Sequence, residues 1–261
     1  MKYNIGDMVT RNSHQNDIIF TIVDIKGDTY YLKGLNTRLL ADAPYSDLKL
    51  YNLNEDIEDE EKFNERISET INLNRSDYFY LPGKILHIDG DIDYLNRCLE
   101  YYKKNNINAI GINESEESLA TNIKKLLEEY NPNIVILTGH DAYYKKDDSY
   151  KNSSNFVKAV TEARKYESSH DKLIIIAGAC QSNYEELIKA GANFASSPKR
   201  INIHALDPAI IATRISLLEA NRDINLKELL EKTKYGSDGI GGIITKGTMH
   251  VGYPRWCNLK K

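Results

Sequence analysis

Two runs of consecutive apolar residues organise the chain, Ile134-Val135-Ile136-Leu137 and Leu173-Ile174-Ile175-Ile176. Each leads into a glycine turn, Thr138-Gly139 in one case and Ala177-Gly178-Ala179 in the other. Short β-branched runs without polar alternation predict strands covered on both faces. From Lys84 onward the same signal alternates with helical spacing. Strands are predicted over 85–88, 107–112 and 201–204 beside the two runs, and helices over 92–102, 114–130, 154–166, 183–190, 208–220 and 226–235. Repeated βαβ units imply an α/β fold, a doubly wound and mainly parallel sheet of five or six strands with right-handed crossovers. The glycines from Gly236 to Gly252 predict a hairpin or mobile loop near the functional edge.

The first third reads differently. Residues 1–50 carry short strand signals with tight turns such as Gly27-Asp28, which predict a small SH3-like β-barrel, a docking module or a peptide- or RNA-binding one. Residues 51–79 begin with the acidic run 55–61 and continue with Phe63, Ile67 and Ile71 at helical spacing, an acidic helical linker. Residues 80–261 form the α/β domain.

Composition narrows the function classes. A formal charge of -4 argues against a general nucleic-acid binder. No run of about 18 apolar residues is present, and the first residues lack the apolar segment of a signal peptide, so a cytoplasmic start is expected. The three cysteines, Cys98, Cys180 and Cys257, form no CxxC pair, so neither a disulfide framework nor a thiolate metal site is expected. Cys98 lies on the apolar side of its helix and reads as core, and Cys257 beside Trp256 as structural or exposed.

The chemistry gathers at the ends of the two apolar runs. One leads to His140-Asp141 and the other to Cys180-Gln181-Ser182, 40 residues later. Residues just past the carboxyl ends of parallel strands line the usual functional edge of such a sheet, so imidazole and thiol can share a cleft. Cys180 is then the nucleophile and His140 its proton partner. The N–H groups of Cys180 and Asp141 are candidates for holding an oxyanion, and Gly139, Gly178, Ala179 and Ser182 shape the substrate edge. Two other readings use the same residues. In an amidotransferase-like hydrolase the partner histidine follows the cysteine, which selects His204; in a non-catalytic binding protein Cys180 only packs.

Several stretches together resemble a known family. They are Thr138-Gly139-His140-Asp141, Ala177 to Ser182, Ala190 to Arg200 and Ile203 to Pro208, with Ile5-Gly6-Asp7 and Ala41 to Pro44 near the amino terminus. They resemble the YabG family, sporulation-specific peptidases of spore-forming Firmicutes, and more broadly the caspase, legumain and clostripain group. The resemblance implies a caspase-like α/β domain and a cysteine endopeptidase that cuts after Arg, without a cofactor or metal. It further implies substrates among spore coat and cortex-associated proteins, and a later association with the coat. Arg66 and Arg75 in the linker are candidate self-cleavage points. Arg-cleaving members such as clostripain carry Asp two residues before the cysteine, where this chain has Gly178. The acid that receives Arg must therefore come from elsewhere, with Asp141, Asp147, Asp148 and Asp238 as candidates.

Overall fold

The computed structural model describes residues 3–51, Glu65 and 77–255. The predicted helical linker with Arg66 and Arg75, and Trp256 with Cys257, lie outside the described residues.

The amino-terminal strands are β1 (Met8–Arg11), β2 (Phe20–Lys26), β3 (Thr29–Gly34), β4 (Leu40–Pro44) and β5 (Leu48–Leu50). They pair antiparallel in the order β4-β3-β2-β1-β5. Side chains alternate across a strand, so Tyr30 and Leu32 of β3 point inward while Tyr31 is exposed. The inward set, Val9, Phe20, Ile22, Tyr30, Leu32, Ala43 and Leu48, forms a core of its own.

The remaining chain runs through β6 (Phe79–Leu81), β7 (Ile85–Asp89), α1 (Ile92–Lys104), β8 (Ala109–Asn113), α2 (Leu119–Tyr130) and β9 (Ile134–Thr138). A small hairpin follows, β10 (Tyr143–Tyr144) with β11 (Ser149–Tyr150), and then α3 (Ser153–Tyr166), β12 (Ile174–Ala177), α4 (Tyr184–Lys189) and β13 (Phe194–Ser196). The last elements are α5 (Asp207–Ser216), α6 (Leu226–Glu231), β14 (Ile240–Gly242) and β15 (His250–Gly252). The main sheet has the order β14-β13-β12-β9-β7-β8, parallel except for β14.

Alternate residues of the central strands feed two separate cores. Ile134, Ile136, Ile174 and Ile176 pack with Cys98, Tyr102, Ile210 and Ile211 on one face. Val135, Leu137 and Ile175 pack with Leu119, Ile123, Phe156 and Val160 on the other. This two-sided burial is why the strands read as unbroken apolar runs. Each buried Ile or Leu contributes about 1.5–3 kcal/mol, so the central strands are anchored from both faces.

Two expectations are corrected. Residues 201–204 are not a strand; β13 takes the place beside β12, because Gly191, at φ +110, turns the chain back directly after α4. The glycine-rich tail is not a hairpin. β14 closes the sheet against β13, and β15 pairs with β6. Gly242 makes the first pairing possible, since a Cβ there would lie 2.4 Å from the Asn193 carbonyl oxygen.

Candidate active site

Register decides which residues share a level at the sheet edge. Leu137 of β9 pairs with Ala177 of β12 and with Ile88 of β7. Three residues further along each chain stand His140, Cys180 and Asp91. The register thus sets the turns that carry Asp91, His140 and Cys180 side by side at the ends of three adjacent strands.

Cys180 is fully buried. Gly178, at φ +102, bends the chain out of β12, and a Cβ there would crowd Leu187 at 2.9 Å. Gln181 follows in the left-handed region at φ 58, held by N–H bonds to the Ser197 hydroxyl and the Ile201 carbonyl. The Ile203 N–H donates to Sγ at 3.3 Å, and the Arg38 backbone N–H also reaches the sulfur. Burial outweighs these donors and pushes the thiol up to about 12. The helix expected to begin near Ser182 starts at Tyr184 and is capped by the Asn183 side chain, so it stands clear of the sulfur.

His140 is held from three sides. Its Nε2–H donates to Asp91 at 2.9 Å, its N–H donates to Glu116 at 2.7 Å, and its carbonyl accepts from the Asn152 side chain at 2.9 Å. Gly139 leaves the space for that contact, because a Cβ would meet Glu116 at 2.3 Å. Among the described residues the buried Nδ1 of His140 has no hydrogen-bond partner. Tyr94 stands edge-on to the imidazole at 5.7 Å, and its phenol also feels the Cys180 sulfur. Burial opposes the charge on Asp91, but His140 and Lys33 override it and hold the carboxyl well below the usual range. Among the described residues no hydrogen bond joins His140 to Cys180. The N–H groups of Cys180 and Asp141 likewise have no acceptor among the described residues. Buried backbone donors are rarely left so.

Asp141 has a structural task. Its buried carboxylate accepts from the N–H groups of Ala142 and Asn152 and the hydroxyls of Ser153 and Ser182. Ser182 Oγ also accepts from the Ala179 N–H at 2.9 Å, which ties the two strand ends together. Asp141→Ala would leave these donors buried and unmet, so a loss of roughly 3 kcal/mol in urea unfolding is expected, with exposed Asp147→Ala near zero.

The other acidic candidates lie in surface turns. Asp147 accepts from Ser149 and Asp148 from Tyr143, both in the β10–β11 hairpin, and Asp238 is exposed in a short turn. His204 is buried in the 201–204 loop, with Nδ1 accepting from the Leu206 N–H at 3.2 Å. Sequence reasoning missed Asp89 and Asp91. The signal was present, because Ile85 to Ile88 is a third buried run ending in acidic residues around Gly90. Asp89 is fully buried and paired with the equally buried Arg38. Burial works against its charge, yet Arg38 and then His87 hold the carboxyl down at about 2. His87 itself sits between the Tyr102 and Thr138 hydroxyls, both at 2.9 Å, and burial lowers its pKa.

Comparison with known proteins gives a consistent result along the chain. The family model described as YabG peptidase U57 matches residues 4–254. The chain is 42% identical to the sporulation-specific protease YabG of Bacillus subtilis (strain 168), over 97% of this chain and 99% of that protein. Among solved structures, a GDP-L-fucose synthetase from Naegleria fowleri aligns at 16% identity over 45% of this chain and 41% of its own, with a TM-score of 0.26. A superposition that partial carries no argument.

Proposed function

Because the chain belongs to the YabG peptidase family and is a protease, we propose that it acts during sporulation as a cysteine endopeptidase, with Cys180 as nucleophile and His140 as general acid and base. The observation that carries this reading is that the two residues follow adjacent strand ends whose last paired residues are Leu137 and Ala177, with no hydrogen bond at His140 Nδ1 among the described residues. Asp91 fixes the ring by accepting from Nε2–H, which leaves Nδ1 as the proton acceptor.

The steps follow from these roles. Nδ1 takes the thiol proton, and the sulfur attacks the scissile carbonyl carbon. The resulting oxyanion lies between the N–H groups of Cys180 and Asp141, whose lack of other acceptors suits them to it. Collapse breaks the C–N bond, and the imidazolium gives its proton to the departing amine. A water molecule then hydrolyses the thioester with the same imidazole as base. The caspase-like reading of the α/β domain and the SH3-like reading of β1–β5 accompany this mechanism, the barrel serving as a docking module.

Cleavage after Arg, spore coat and cortex-associated proteins as substrates, and self-cleavage at Arg66 or Arg75 complete the proposal. Arg should be preferred to Lys because a planar guanidinium can give a carboxylate two parallel hydrogen bonds where an ammonium cannot. An arginyl peptide chloromethylketone is expected to modify Cys180 stoichiometrically and stop peptide cleavage in proportion. Full activity after complete modification of Cys180 would overturn the cysteine mechanism, and equal cutting after Arg, Lys and Leu would overturn the specificity.

A further inference from the structure

The connection between β3 and β4 lies across the catalytic edge. Asn36 accepts the Ala205 N–H at 2.9 Å, and Thr37 forms an antiparallel bridge with His204. A segment laid antiparallel beside the 203–205 backbone, next to a candidate nucleophile, has the geometry of a peptide bound by strand addition. Arg38 follows, its backbone N–H at the Cys180 sulfur and its side chain in a closed pocket. There the guanidinium pairs with Asp89, donates to the Ala205 carbonyl at 3.0 Å and reaches Cys98 Sγ at 3.6 Å, with the Tyr94 ring 5.1 Å away. The Tyr94 hydroxyl donates to the Gly34 and Thr37 carbonyls, so the wall of the pocket also grips the loop.

Accepting Cys180 as nucleophile, we infer that this pocket is the subsite for the side chain preceding the cut bond, that it takes arginine through Asp89, and that Arg38 is its resident occupant. Asp89 meets the requirement left open by Gly178: a buried carboxylate reached by the side chain of the residue whose N–H meets the thiol, with Arg38 and His87 as its charged or titratable neighbours among the described residues. The Thr138 hydroxyl donates to Asp89 at 2.8 Å and His87 Nε2 lies 3.6 Å from it, so its carboxylate is held in place. The occupant is shaped to block. The Leu39 N–H bonds to the Thr37 carbonyl at 2.7 Å and the Gly34 N–H to the Leu39 carbonyl at 2.8 Å, so the chain doubles back at Arg38 instead of crossing the thiol extended. A substrate arginine must displace this loop, which also accounts for a nucleophile with no exposure.

The inference is tested without relying on catalysis. Arg38→Ala empties the pocket, so ethylguanidine is expected to raise its Tm saturably by roughly 3 °C. Neither the wild-type protein nor Arg38→Ala/Asp89→Asn should respond, and ethylammonium should have a weaker effect. Iodoacetamide should also modify Cys180 faster in Arg38→Ala than in wild type. A folded Arg38→Ala that ignores ethylguanidine overturns the subsite, and Arg38 is then only a staple between the two sheets. Arg38→Gln replaces Arg38→Ala if the latter does not fold. The wild-type protein supplies a further check: its kcat/KM should favour Arg over Leu before the cut by roughly 100-fold, the order of cost for leaving Asp89 buried and unpaired, and no preference overturns the inference. If ethylguanidine binds Arg38→Ala but Cys180→Ala still cleaves, the pocket stands and the cysteine mechanism falls.

Discussion

Cys180→Ala is expected to reduce cleavage of arginine-containing peptides to the uncatalysed background, while Cys257→Ser keeps it. On the proposed mechanism the attacking thiol is buried, and burial pushes it up to about 12, so it rests protonated. On the proposed mechanism activity then depends on two events in sequence. Displacement of the loop carrying Arg38 admits the substrate carbonyl, and His140 Nδ1 then removes the proton as the bond to sulfur forms. Alanine keeps the turn at Gly178 and the bonds around Ser182, because these involve backbone and neighbouring hydroxyls, so the variant should fold. Steady-state kinetics with circular dichroism as the folding control make the check. Cleavage retained by folded Cys180→Ala ends the cysteine-peptidase reading.

The second large effect is at His140. His140→Ala should lower kcat by roughly 100-fold or more, the usual consequence of removing a general acid and base. A peptide amide leaves poorly without a proton, whereas an activated ester does not need one. The ester substrate should therefore recover part of the loss in His140→Ala and none of it in Cys180→Ala. His204→Ala is expected to lower Tm while keeping kcat, since its ring and N–H brace the loop between residues 203 and 207. If His204→Ala is inactive and folded while His140→Ala retains near-normal kcat, the amidotransferase-like order of residues replaces the caspase-like one. Asp91→Asn should give a smaller loss than His140→Ala. Asparagine can still cap α1, where the Asp91 side chain accepts from Asp93 N–H and Tyr94 N–H, but it cannot pair with an imidazolium.

The alternation of apolar runs and helical spacing specified an α/β fold with a mainly parallel sheet, because burial on both faces removes polar residues from central strands and leaves a signal readable in one dimension. The helix ends were also close: 92–102 was expected where α1 spans Ile92–Lys104, and 154–166 where α3 spans Ser153–Tyr166. The signal failed at β13, whose three residues are too short for any periodicity, and in the glycine-rich tail. There Gly242 serves a close backbone approach that nothing local announces.

By itself the sequence determined which side chains stand at the ends of buried strands, since that depends only on where each apolar run stops and a glycine turn begins. It did so for Cys180 and His140, and the same rule applied to Ile85 to Ile88 reaches Asp89 and Asp91. Only the tertiary structure decided that the strand ends preceding Asp91, His140 and Cys180 lie side by side, because parallel register is set by packing between strands far apart in the chain. It alone decided that Asp141 is consumed by four donors and that Asp89 is held charged by Arg38. Arg38 lies in the connection between β3 and β4 of one sheet, and Asp89 ends β7 of the other. Their pairing has no local signature, because a buried charge in a low-dielectric interior is fixed by whichever opposite charge the fold delivers to it.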